Sequence, residues 1–174
     1  MAAFISDSKD ETRLDWAVLR DGGISLYLNH EFLNEDVMKL QALEYSVKSF
    51  DCSTWLTPAD MHDSLQNTLE FPSYYGRNFN ALNDCLQDLE VPFIGGLSLV
   101  FRHFDRFANA SPENQDLAFS VLDLCVRASR THMLTGRRFL TLVQSDDPTL
   151  QFEGLGAIDT PWNRRECLAK NRNL

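Results

Sequence analysis

Residues 71–89 read FPSYYGRNFNALNDCLQDL, from Phe71 to Leu89. The stretch joins an aromatic-rich turn to a short amphipathic helix. The turn holds Pro72, Tyr74, Tyr75 and Gly76. Helical periodicity puts Phe79, Leu82, Cys85, Leu86 and Leu89 on one face and Asn80, Asn83, Asp84, Gln87 and Asp88 on the other arc. Two tyrosines beside a face of carboxylates and amides make a surface suited to a positively charged partner.

The charge of the whole chain agrees with that reading. Among 174 residues, 25 acids face 16 bases, a net charge of −9. Residues 51–90 hold seven acids and one base, Arg77, whereas residues 91–144 hold four acids and six bases. The acid excess therefore surrounds the helix just described. It either serves as a solvated face or meets a partner. A nucleic-acid binder usually carries the opposite balance, so direct binding of RNA or DNA is not expected.

The hydrophobic share of 44% is ordinary for a globular domain. Cys52, Cys85, Cys125 and Cys167 form no C-x-x-C pair, which excludes the common zinc and thioredoxin patterns. The opening MAAFISDSKDE lacks the basic and apolar regions of a secretory signal, and residues 1–12 read as polar and loose. No apolar run approaches the length of a membrane span. A cytoplasmic protein with reduced thiols is the expectation.

Outward from the central stretch, Tyr45–Phe50, Leu97–Phe101 and Phe139–Gln144 read as strands with helices between them. That order implies parallel strands joined by crossovers. Thr57, Pro58 and Asp60 mark a helix start, with Met61, Leu65, Thr68 and Leu69 as its inner stripe. Asn78 caps the central helix, and Val91-Pro92 ends it. Ser111-Pro112-Glu113 opens the longest helix, with Leu117, Val121, Leu124, Cys125 and Ala128 facing the core. Before these elements, Phe32–Leu43 reads as a helix and Ile24–Leu28 as a strand. Asp21-Gly22-Gly23 has the pattern of a hairpin turn. Near the end, Thr160-Pro161-Trp162 repeats the cap-then-proline device and predicts a short helix with Trp162 docked on the body.

Pro72, Tyr74-Tyr75-Gly76, Asn78, Ala81-Leu82 and Asp84-Cys85-Leu86 together resemble the signature of the barstar family, small inhibitors of bacterial ribonucleases. The resemblance covers roughly Tyr45 to Gln144, and the stretch VQSDDP is similar to longer members. It implies an α/β fold with a small three-stranded parallel sheet packed with helices, plus extra N-terminal strand and helix. On this plan residues 1–44 are an N-terminal extension packed on the same domain. Residues 45–147 form the barstar-like core, and residues 148–174 form a docked tail.

The resemblance also implies a function: an immunity protein of a bacterial toxin–antitoxin pair, occluding the active site of a basic ribonuclease. It implies a protein partner, no enzymatic activity and no cofactor. Asp84 matches the aspartate that the family inserts into the nuclease, Tyr74 the aromatic over the cleft, and Gly76 a backbone position close to the partner. Asn80, Asn83 and Asp88 would form the polar surround. Tyr74 otherwise packs into the core, and Tyr75 reads as core.

This chain departs from the family pattern at several points. Asn80 stands where well-known members carry a second aspartate, and Asn83 where they carry a tryptophan. Arg77 replaces an acid, and Arg127 and Arg130 occupy the late helix where they offer a glutamate. These departures point to a ribonuclease other than the best-known one, or to a toxin of another class. The alternative is a barstar-fold interaction module whose partner is not a nuclease.

Catalytic patterns are weak. His62-Asp63 and His103 with Asp105 are the available acid–base pairs, and neither lies in a motif. His62 reads as a surface residue of its helix. His30, His62, His103 and His132 are dispersed along the chain, so no metal site is expected. Arg137-Arg138 and Arg164-Arg165 read as counter-ions for local acids or as a solvated rim, the alternative being binding of an anionic partner.

Overall fold

The helices begin where short polar side chains meet otherwise unpaired backbone N–H groups. In the computed structural model, which describes residues 13–174, Asn29 Oδ1 accepts from the Glu31 N–H at 2.7 Å and opens α2, His30–Ala42. Thr57 and Asp60 form a reciprocal capping box at the head of α3, Pro58–Leu69. Asn78 Oδ1 accepts from the Ala81 N–H at 2.9 Å and starts α4, Phe79–Gln87. Ser111 does the same for α6, Pro112–Leu134, with Pro112 in its first turn. The remaining α-helices among the described residues are α1, Leu14–Arg20, and α5, Phe104–Ala108.

Four strands form one fully parallel sheet: β1, Ile24–Tyr27; β2, Tyr45–Asp51; β3, Gly96–Arg102; and β4, Phe139–Gln144. Their spatial order is β1-β4-β3-β2. The expected three-stranded sheet is thus corrected to four. Ile24 pairs with Thr141 and Tyr27 with Gln144, so the N-terminal strand extends the sheet beyond β4.

Successive side chains of a strand point to opposite faces, and the two cores follow that alternation. Ile24, Leu26, Leu99, Phe101, Phe139 and Val143 pack under α3, α4, α5 and α6. Tyr27, Val100, Leu140 and Leu142 pack under α1 and α2 with Val18, Leu33 and Leu40. Helices on both faces explain why β3 and β4 are almost wholly buried. Two glycines let β3 enter the sheet. Gly95 has φ +70, and a Cβ there would meet the Glu44 carbonyl oxygen at 2.0 Å.

Asp21-Gly22-Gly23 is not a hairpin turn. Leu14–Arg20 is helical, and the Gly23 N–H closes back on the Val18 carbonyl at 2.8 Å. The turn leads from a helix into a strand, and Gly23, at φ +80, leaves room for the Ser129 hydroxyl.

The tail also differs from expectation. Thr160-Pro161 opens no α-helix, because its backbone is engaged by the sheet. The Leu26 N–H donates to the Pro161 carbonyl and the Asn163 N–H donates to the Leu26 carbonyl, both at 2.8 Å. The tail so covers the outer edge of β1, which would otherwise present unpaired backbone groups. Trp162 packs against the larger core, and the Arg172 guanidinium lies 4.6 Å from its ring centre. The expectation for residues 1–12 lies outside the described residues. No helix among the described residues is long and apolar enough to cross a membrane.

Candidate functional site

The aromatic turn is held from below. Phe71 and Tyr75 are buried with ring centres 5.1 Å apart. Tyr75 also meets His62 of α3, its Oη 2.6 Å from the imidazole Nδ1. His62 is therefore a core residue, not the surface residue expected. It sits beside Met61 at the margin of the inner stripe, where the turn folds over α3. Burial, helped by the nearby Arg77 charge, holds its pKa below the usual histidine value. Burial raises the Tyr75 phenol well above its usual range.

With Tyr75 turned in, Tyr74 is turned out and leaves 86% of its surface exposed. Gly76 is exposed, and its close neighbour is the Asn78 side chain: a Cβ there would lie 2.9 Å from Asn78 Nδ2. Arg77 reaches back to Asp63 of α3 at 2.6 Å. Its charge is thereby drawn partly away from the front of α4.

Leu82 and Leu86 anchor α4, and Phe79, Cys85 and Leu89 pack beside them. Complete burial of each leucine contributes about 1.5–3 kcal/mol. His132 of α6 pins the far end: its Nε2 stands 2.9 Å from the Leu86 carbonyl, one of the oxygens a helix end leaves unpaired. The outward arc is thus fixed from both ends.

On that arc Asp84, Asp88 and Asn80 are exposed and Asn83 is half-buried. Asp84 takes part in none of the ion pairs among the described residues. Its one side-chain hydrogen bond among the described residues comes from Asn83, whose amide donates to it at 3.3 Å. Asn83 in turn accepts from Gln87 at 2.9 Å.

Tyr74, Asp84 and Asp88 meet at a groove of about 590 Å³ between α4, the aromatic turn and the edge strand β2. Glu70 and Glu90 bring its carboxylates to four, against one ammonium, Lys48, which lies 3.8 Å from Glu70. Gly76, Asn80 and Asn83 lie outside its lining. The concavity is therefore anionic, with an exposed ring at its rim. Sequence reasoning missed Glu70, Glu90 and Lys48; the local acid excess in residues 51–90 was the signal for the two glutamates, and nothing in the sequence pointed to Lys48.

The arginine pairs act mainly within the chain. Arg137 donates to the Val91 carbonyl and lies 3.9 Å from the Phe93 ring centre. Arg138 donates to the Gly95 carbonyl at 3.2 Å. Arg165 pairs with Glu35 and, at 3.1 Å, with Asp36. The late-helix Arg127 pairs with Asp123 at 2.7 Å.

The histidines are less dispersed in space than in sequence. His30 and His103 converge on Asp146, while His103 makes no contact of the expected kind with Asp105. Asp105 instead accepts from the Asp146 N–H.

The family model for Barstar, described as the barnase inhibitor, matches residues 45–143. A curated relative, "Putative ribonuclease inhibitor YrdF" of Bacillus subtilis (strain 168), is 46% identical over 50 residues. Those residues are 28% of this chain and 50% of that protein, so the chain spans about half the length of the relative it matches. The signature, the parallel sheet behind it and a match over more than half of the residues lead to one assignment: the chain belongs to the barstar family.

Proposed function

We propose that this protein inhibits a ribonuclease-type toxin by covering its active site with the exposed face of α4 and the Tyr74 turn. A ribonuclease gathers Lys, Arg and His around the substrate phosphate, and carboxylates can occupy the same groups. Asp84 is the central anchor, Tyr74 the apolar cover, and Asp88 with Asn80 and Asn83 the polar surround. Gly76 allows close backbone approach.

The observation that carries this reading is the state of Asp84. It is exposed, has no base paired to it among the described residues, and stands beside a largely exposed tyrosine on the rim of an anionic groove. A carboxylate held only by the Asn83 amide among the described residues loses no ion pair on binding, and an arginine fork can grip it at two points. Its position on a helix held at both ends reduces the ordering cost of association. The negative field around residues 51–90 supports fast, salt-dependent encounter with a basic enzyme.

Asn80 keeps hydrogen-bonding capacity without the charge of the aspartate that well-known members carry there, so the cognate enzyme presents fewer cations at that point. The protein acts by binding and needs neither cofactor nor catalysis. Its setting is a bacterial cytoplasm, as immunity against a toxin.

The test is inhibition of RNA cleavage by a panel of basic bacterial ribonucleases, barnase included, titrated with the wild type and Asp84→Ala. Stoichiometric inhibition of at least one enzyme is expected. Asp84→Ala should fold normally and weaken that inhibition about 30-fold or more, the scale of a 2 kcal/mol hot spot. Equal inhibition by both proteins removes Asp84 from the interface. No inhibition across the panel favours a partner that is not a nuclease.

A further inference from the structure

The carboxyl ends of β1, β3 and β4 bring three potential metal ligands together, at a place remote from the groove. His30 opens α2 after β1, His103 follows β3, and Asp146 follows β4. His30 Nε2 lies 3.1 Å from Asp146 Oδ1. His103 Nδ1 lies 3.0 Å from Asp146 Oδ2. All three ligand atoms fall within 4.8 Å of one another. We propose that His30, His103 and Asp146 form a binding site for a zinc-like divalent transition-metal ion.

The topology favours a ligand there. β1 leads into α2 on one face of the sheet, and β3 leads into α5 on the other. β4 lies between these two strands. Chains that leave the sheet toward opposite faces on either side of β4 open a crevice at the carboxyl edge, the usual location of ligands in parallel sheets.

The local construction goes beyond what a surface ion pair requires. Gln144 is completely buried and braces two members at once. Its Oε1 accepts from the His103 N–H at 2.8 Å, and its Nε2 donates to Asp146 Oδ1 at 2.9 Å. Asp105 holds the Asp146 backbone N–H at 2.9 Å. Such supports orient the ligands of metal sites. His103 has a left-handed backbone, φ 53, a costly conformation for a residue other than glycine. That strain places its ring 5.1 Å from the His30 ring, centre to centre.

The donor set defines the class of ion. Two imidazoles and one carboxylate suit zinc and its late first-row neighbours, whereas calcium and magnesium prefer oxygen alone. Zinc binds such atoms at about 2.0–2.2 Å, so tetrahedral ligands sit roughly 3.3 Å apart. The two nitrogens approach different oxygens of Asp146, at 3.1 and 3.0 Å, and the three ligand atoms lie within 4.8 Å of one another, so binding needs only a small turn of the carboxylate and the rings to draw them together. Metal would replace the protons now shared with Asp146. Arg106, 3.6 Å from Asp146 and largely exposed, opposes a cation but is free to swing outward. Three protein ligands leave a coordination position for water or a partner's side chain.

The site and the groove share no residue. Leu97, at the groove end of β3, and His103, just past its carboxyl end, lie six residues apart, which is roughly 20 Å along an extended strand. The proposal therefore stands whether or not the protein inhibits a nuclease.

The test uses Co²⁺ as a spectroscopic probe of the full chain at neutral pH, followed by displacement with Zn²⁺. Visible absorption saturating at one ion per chain is expected. His30→Gln and Asp146→Asn, each checked for folding by circular dichroism, should weaken binding by more than the ~10–100-fold cost of losing an outer-shell partner. His30 is half-buried at a helix start between the exposed Asn29 and Glu31, so His30→Gln alone decides the matter if Asp146→Asn does not fold. Absence of one-to-one binding, or full affinity in folded His30→Gln, overturns the proposal. So does loss of the signal in Cys167→Ser, which would place the ion on that exposed thiol, or equal affinity for Mg²⁺.

Discussion

The Tyr75 hydroxyl and His62 Nδ1, 2.6 Å apart, tie the aromatic turn to α3. This pairing decides which tyrosine faces inward, and therefore which is offered to a partner. Tyr75→Phe keeps the ring packed on Phe71 but leaves a buried imidazole nitrogen without its partner. A loss of about 1–2 kcal/mol is expected, since an unpaired buried polar group costs about 1–3 kcal/mol. Urea unfolding with an unchanged m-value measures it. A variant as stable as the wild type would show that this contact holds nothing in place.

The same pairing predicts a pH dependence. Burial and the Arg77 charge lower the His62 pKa in the folded state. The unfolded chain then binds more protons than the folded one between the lowered value and the ordinary value of about 6.5. The contribution of neutral His62 is fully present above about pH 6.5 and is lost as the pH falls toward the folded pKa. Imidazole resonances followed by NMR should give His62 a midpoint below 6.5. A midpoint at or above that value would contradict the buried placement.

Asn80→Asp restores a carboxylate one helical turn before Asp84. An acid in the first turn of α4 gains about 0.3–1 kcal/mol from the helix dipole. A like charge four residues from Asp84 costs about 0.2–0.5 kcal/mol. Stability should therefore change little. Association with a basic ribonuclease that the wild type inhibits should become faster and more salt-dependent. Stopped-flow mixing at two ionic strengths measures both. Unchanged rates would place Asn80 outside the field that the enzyme senses.

These outcomes rest on features that differ in how far they show in the sequence. The caps at Thr57, Asn78 and Ser111 are local chemistry, and so are legible in a few residues. The inner face of α4 follows from the spacing of Leu82 and Leu86. The exposed positions of Asp84 and Asp88 follow from that same helix period. Other features depend on partners far along the chain. β1 is only four residues long, and nothing in Ile24–Tyr27 names Thr141–Gln144 as its parallel neighbour. Asp15 is wholly buried because Tyr45 and Arg138 surround it, neither of them near it in sequence. His30 and His103 meet only because parallel strands deliver their ends to one edge. Glu70 joins the groove through a left-handed helix cap, φ 56, that turns the chain toward α4.

Glu166 joins the tail to the sheet and carries the last expectation. It is 2% exposed and accepts from the Leu28 N–H at 3.1 Å and the Asn29 N–H at 2.9 Å. The Asn163 amide donates to the same carboxylate. These bonds hold the carboxyl end of β1 and the cap of α2 against residues 161–166. Glu166→Ala removes the acceptor for both backbone donors, so a loss of about 1–3 kcal/mol is expected. Glu166→Gln keeps an acceptor oxygen and should lose less. Hydrogen exchange at Leu28 and Asn29 should quicken in the alanine variant, while amides in the centre of β3 should change only as far as global stability does. Unchanged exchange at those two amides, together with wild-type stability, would show that the tail lies on β1 without supporting it.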